Sequence, residues 1–142
     1  MSERTYASKP LAAVGAVIIR NGKFLFVLRK NQPKAGYWTL PGGLVESGES
    51  VTEAVIREVW EECQLLVYPV RLVDVLDFIQ RDEDGRVAFH YVLIDFECTC
   101  DAGTAVATSD ATEVQWVERT QIHSLKMPQL TRKFFEKHYG VS

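Results

Sequence analysis

Two periods of apolar and polar residues alternate along this chain of 142 residues. Leu11 to Arg20 is a nearly continuous apolar run rich in Ala, Val and Ile, and Lys23 to Lys30 is a second, so both predict strands. Asn21-Gly22 between them is a strong hairpin signal. Asn31 to Gly36 reads as a loop punctuated by Pro33 and Gly36. Tyr37 to Leu40 then predicts a short strand feeding the turn Pro41-Gly42-Gly43. From Val51 to Cys63 there is neither Pro nor Gly, room for about three and a half turns of helix. Ser50 supplies its N-cap, and Glu53 three residues on completes a capping box. Val67 to Gln80 and Arg86 to Cys98 predict two further strands. The turn between them, Asp82-Glu83-Asp84-Gly85, lacks the later ligands of a calcium loop and reads as a hairpin. Thr99 to Thr112 is a polar loop, Val114 to Val117 a last strand, and Thr120 to Leu125 a short helix. Pro128 opens a closing helix with Leu130, Phe134 and His138 on one face and Gly140 as its stop. Hairpins, a central helix and a closing helix together make an α/β chain without repeats.

The central helix carries an unusual charge pattern. At about 100° per residue, Val51, Ala54 and Val55 share one side, and Glu58, Glu61 and Glu62 fall on the same side further along. A surface helix normally turns its acids to water on the opposite face. The other flank, Ile56, Val59, Trp60 and Cys63, is apolar too, so the helix is expected to be covered on both sides with its acids in a cleft. Carboxylates roughly 6 Å apart repel by about 3 kcal/mol at an effective dielectric of 20. Arg57 reaches Glu53 and Glu61 at i−4 and i+4 but lies to the side of the cluster. The economical counter-charge is a divalent cation, and all-oxygen ligation suits Mg²⁺ or Mn²⁺.

Composition narrows the setting. The length suits one domain, residues 11–142, behind a flexible tail over residues 1–10. A net charge of −3 gives no footprint for nucleic acid. No apolar run approaches a membrane span of roughly 20 residues, and the N-terminus lacks a signal core. Three cysteines, an odd number, point to a reducing cytoplasm rather than a disulfide scaffold. Cys98 and Cys100 have no second pair at zinc spacing. At a strand end, Arg29 or Lys30 is placed to meet a phosphate, while Tyr37, Trp38 and Phe78 are candidates to stack on a base.

The stretch Gly43, Glu49, Arg57-Glu58, Val59, Glu61-Glu62, Leu65 resembles the signature box of the Nudix (MutT-like) hydrolases. Every charged position matches, and Gln64 stands where the family has glycine, at a position where a left-handed backbone is usual. The lead-in, an aromatic followed by Leu-Pro-Gly-Gly, is shared as well. The resemblance runs from Leu11 to about Tyr139, most specifically from Tyr37 to Leu65. It implies an α/β/α sandwich with a mixed, curved β-sheet, and a hydrolase that cleaves the pyrophosphate bond of a nucleoside diphosphate linked to another moiety. It implies Glu58, Glu61 and Glu62 as metal ligands with the Gly42 carbonyl, Glu58 also as a base, and Glu49 and Arg57 as groups that fix the ligand carboxylates. An acid before Trp116 would be a further ligand or the base, with Asp110 slightly ahead of Glu113. ADP-ribose, another nucleotide sugar and a nucleoside triphosphate all remain as substrates. Marker residues used by some branches beyond the box are absent, since Gln80 to Glu83 stand there. A homodimer is among the assemblies the resemblance implies, with no apolar stripe to mark its interface. The alternative from another class is a nucleotide-sensing module that keeps the fold without turnover, for which Gln64 is the only support.

Overall fold

A computed structural model describes residues 4–108 and 111–142 of the chain. Asp110 therefore lies outside the described residues. The first hairpin forms as its Asn-Gly turn predicts, from β1 (Leu11–Arg20) to β2 (Lys23–Arg29). The two strands pair only at their joined ends, Ile19 with Phe24 and Arg20 with Lys23. Beyond that point they part. The N-terminal half of β1 pairs antiparallel with β4 (Gly42–Leu44), while β2 turns to β3 (Trp38–Thr39) and β7 (Ala111–Glu118). On its other edge β1 runs parallel to β6 (Val87–Thr99), and β5 (Tyr68–Arg81) closes that side antiparallel. The sheet is therefore mixed.

Strand β4 was expected as a plain glycine turn. It becomes a strand because Gly42 lies so close to β1 that a side chain there would collide with Val14 O, which brings the two backbones into pairing register.

Helix α1 (Val51–Cys63) and helix α2 (Gln129–Tyr139) cover opposite faces. The alternation along β1 and β2 shows why. Val14, Ala16, Ile18, Leu25 and Val27 pack with Ala54, Val55 and Val59 of α1. Val17, Phe24 and Phe26 pack with Phe134 and Phe135 of α2. Strands buried on both faces read as unbroken apolar runs, which is the pattern seen at Leu11 to Arg20. A 3-10 helix, Arg119–Ser124, links β7 toward α2.

Two expectations need correction. The outer flank of α1 is not covered throughout, because Trp60 stands 51% exposed between the buried Val59 and Cys63. The tail is not loose at Tyr6. Its N–H donates to Ala88 O at 2.7 Å, its hydroxyl donates to Asp82 at 2.8 Å, and Arg86 lies 4.4 Å over its ring. Among the described residues no helix is long and apolar enough to cross a membrane.

Candidate active site

Helix α1 starts as its sequence dictates. Ser50 accepts from Glu53 N–H at 3.1 Å, and Glu53 accepts from Ser50 N–H at 2.9 Å. The carboxyl of Glu53 is thereby committed to the cap and does not meet Arg57. The helix ends on Gln64 in a left-handed conformation, φ 61° and ψ 31°. Its last carbonyls are taken by the polar loop that follows β6: Thr108 Oγ1 donates to Glu61 O at 2.6 Å and Val106 N–H to Cys63 O at 2.9 Å.

Arg57 is the hub of the acids rather than a bystander. Its Nε and Nη2 grip the two oxygens of Glu49 at 2.7 and 2.9 Å. Nη1 donates to Glu58 and, at 3.0 Å, to Glu61, and Nη2 also reaches Leu44 O at 2.9 Å. The planar fork makes these contacts from one rigid group, which an ammonium could not copy. The wheel hid this because Glu49 belongs to the loop before the helix and folds back onto it. Arg57's paired hydrogen bonds, with the backbone N–H of Glu46 second, hold the Glu49 carboxyl down at about 2. The same contact with Glu49 raises Arg57. Glu49 also accepts from Glu46 N–H at 3.0 Å, so it ties the loop to the helix.

The three box acids are set at graded depths. Glu61 is open, Glu58 half-buried, and Glu62 only 9% exposed. Glu62 accepts from Gly42 N–H at 3.1 Å. The Glu58 carboxylate lies flat against Gly43, where any Cβ would collide with it. Glycine at that position is what lets the acid approach the backbone. Among the described residues no three His, Cys, Asp or Glu side chains converge closely enough to hold a metal ion.

Beside this network a cavity of about 150 Å³ opens where β1, β2, β3 and β4 part, with Glu62, Gly42 and Gly43 on its wall. Arg29 faces into it and Lys30 does not. Arg29 Nε donates to Pro33 O at 2.7 Å, and burial pulls its pKa down while nearby Glu62 pushes it back up. Phe78 lines the cavity and stacks on Tyr91, centroids 6.0 Å apart. Tyr37 and Trp38 do not line it. Tyr37 holds Lys126 at 4.5 Å and Lys34 at 5.4 Å against its ring, and Trp38 packs into the core on the α2 side. Glu113 is exposed on β7 opposite Leu28 and is not among the residues that line the cavity. Sequence reasoning passed over Arg4, Thr39, Tyr91 and Asp95, all of which line the cavity. Asp95 alone carried a signal, as a charged residue inside the otherwise apolar run Tyr91 to Phe96.

An acidic helix entered through a glycine strand, set beside a cavity in a mixed α/β/α sandwich, defines the class of fold and site. The chain belongs to the NUDIX domain family, whose model matches residues 9–138. It is 36% identical over 116 residues to the ADP-ribose pyrophosphatase of Methanocaldococcus jannaschii, covering 82% of this chain and 66% of that protein. Phosphatase NudJ of Escherichia coli (strain K12) is 32% identical over 114 residues, 80% of this chain and 72% of its own length. The chain spans 66% of the Methanocaldococcus protein and 63% of the Bacillus subtilis Nudix hydrolase YvcI, less than two thirds of either. Among solved structures, the MutT protein from Methanosarcina mazei Go1 superposes with a TM-score of 0.79 at 29% identity, covering 94% of this chain and 96% of that one. The MutT NUDIX hydrolase from Burkholderia pseudomallei gives 0.76 at 30% identity, with 91% and 98% covered.

Proposed function

We propose that this chain is a divalent-metal-dependent pyrophosphohydrolase acting on a nucleoside diphosphate linked to a second group. ADP-ribose, another nucleotide sugar or a nucleoside triphosphate is the substrate class. The observation that carries this reading is the placement of Glu62, Gly42 and Arg29 on one cavity wall, backed by the Arg57 network.

Glu58, Glu61 and Glu62, with the Gly42 carbonyl, are the groups that would hold the metal, an all-oxygen set of the kind Mg²⁺ or Mn²⁺ takes. The bare backbone at Gly43, which admits the Glu58 carboxylate, fits that use. When bound there, the metal would supply charge neutralisation of the pyrophosphate oxygens and acidify a water. The chain's own part is positional. Arg57 and Glu49 fix the carboxylates, Arg29 meets a phosphate oxygen, and Phe78 on Tyr91 offers a face to a base. Proton removal from the attacking water falls to Glu58, Asp110 or Glu113. Three buried free cysteines accord with a reducing compartment such as the cytoplasm. A homodimer would bury the apolar residues that edge strand β5 exposes at Val70, Leu72, Val75 and Ile79.

The test is phosphatase-coupled phosphate release across ADP-ribose, nucleotide sugars, dinucleotides and triphosphates, with Mg²⁺ or Mn²⁺. Turnover of one class, abolished by chelator, is the expected result. No turnover on any of them, with nucleotide binding intact, would overturn hydrolysis in favour of sensing.

A further inference from the structure

The cavity holds two polar groups that the acidic network leaves unused. Asp95 stands in the apolar run of β6, 5% exposed, and lines the cavity. No described residue donates a hydrogen bond to its carboxyl. The charge that acts on it is another acid, its register partner Asp74 on β5, which is already held by His138 at 2.7 Å. Thr39 lines the same cavity, and its Oγ1 is buried without a partner among the described residues. Opposite Asp95 in the sheet, Gly15 leaves β1 bare, and a Cβ there would collide with Asp95 Oδ1. The fold thus keeps room for a carboxyl that it does not satisfy. Buried polar groups normally find partners within the protein, so an unpaired pair in one cavity points to a ligand.

The surroundings limit what that ligand can be. Leu76, Leu93, the stacked Phe78 and Tyr91, and Phe134 of α2 all line the cavity. This is a slot for a flat apolar ring with polar atoms at its edge. A carboxylate accepts hydrogen bonds, and a threonine hydroxyl gives or takes one. We infer that Asp95, assisted by Thr39, selects the base of the bound nucleotide, favouring an exocyclic amino group (as in adenine, cytosine or guanine) over a carbonyl oxygen at the corresponding position. The inference rests on the nucleotide reading of the cavity and adds to it the group that reads the base.

The experiment uses nucleoside monophosphates, which contain no pyrophosphate to cleave. Calorimetry compares AMP with IMP and CMP with UMP, on the wild-type chain and on Asp95→Leu and Asp95→Asn, with thermal unfolding to show that each variant is folded. The wild type should bind the amino partner of each pair at least tenfold more tightly, as expected for a site built to hydrogen-bond a ligand N–H. Asp95→Leu should bring both ratios near one, with Asp95→Asn between, and Thr39→Val should give a smaller loss. The inference is overturned if the wild type does not discriminate, if it prefers the deaminated partner, or if no monophosphate binds. It is also overturned if both members of a pair weaken equally in Asp95→Leu, which would place Asp95 on the sugar. Selective binding without turnover of any diphosphate would sink the hydrolase reading alone. Turnover without amino selectivity would sink the inference alone.

Discussion

Two groups of acids lie within one small domain and are treated in opposite ways. Around Arg57, Glu49, Glu58 and Glu61 share a guanidinium whose donors are all engaged. Across the cavity wall, Asp95 is buried with no donor among the described residues. The contrast shows in their proton affinities. Arg57 holds Glu49 at about 2, while burial, with Asp74 second, pushes Asp95 up to about 7. A satisfied acid fixes geometry before any ligand arrives. An unsatisfied one stores a cost that a ligand can relieve. The first kind suits positioning for chemistry, the second suits choosing what is bound.

The sharpest way to break the contrast is to spoil the satisfied side. Glu58→Gln should lower kcat by about 10²- to 10³-fold, the scale for loss of one group acting on developing charge, while the fold stays intact. Arg57→Lys keeps the charge but loses the fork that binds both oxygens of Glu49. It should cost roughly 10- to 100-fold in activity or in Mg²⁺ affinity, the range for residues that orient metal ligands. Steady-state kinetics across a metal titration would read both. If Arg57→Lys turned over like the wild type, orientation of the acids by a planar fork would be the wrong account.

The two sides also predict opposite pH behaviour. The lowered Glu49 contributes stability that is present above its unfolded value of 4.5 and lost as pH falls through about 2. The raised Asp95 contributes stability that is complete below its unfolded value of 3.8 and lost as pH rises through about 7. Between about pH 4 and pH 7 the wild type should therefore weaken, by at most about 4 kcal/mol for a shift of this size. Asp95→Asn should flatten that part of the curve. Asp74 with its partners His138 and Lys137, and Tyr139 of α2, surround the site and remain in both proteins, so the difference between the two curves isolates Asp95. Urea unfolding at a series of pH values measures it, and parallel curves would show that Asp95 is not carrying a buried penalty.

Legibility followed the same divide. The bounds of α1 were readable because a capping box and the absence of breakers are local facts, and β1 was readable from an unbroken apolar run. The acids of the box were readable from spacing. Arg57's part in fixing them came only with the family resemblance and not from the wheel, because Glu49 and Leu44 reach it through a loop that no helical wheel contains. Tyr37 and Trp38 were chosen as stacking residues on type alone, yet lysines occupy one ring and the core takes the other. Asp95 gave the clearest unread hint. Its meaning depends on Gly15, which only the parallel pairing of β1 with β6 brings beneath it.

The smallest expected effect lies outside both regions and calibrates them. Gln64 ends α1 at φ 61°, a conformation that costs a residue with a Cβ about 1 kcal/mol relative to glycine. Its N–H still donates to Trp60 O at 2.9 Å, and neighbouring carbonyls are bonded by Val106 and Thr108, so the helix exit is already in the form glycine would take. Gln64→Gly should therefore relieve strain without moving the acids. Part of the gain is returned through the looser unfolded chain. A net rise of about 0.5–1 kcal/mol, or roughly 2–4 °C in Tm, is expected, with kcat and KM unchanged. A scanning calorimetry trace and one kinetic curve decide it. An unchanged or lower Tm would mean that the Gln64 side chain contributes contacts of its own. A changed kcat would mean that the end of α1 is coupled to the acids more tightly than the Arg57 network alone implies.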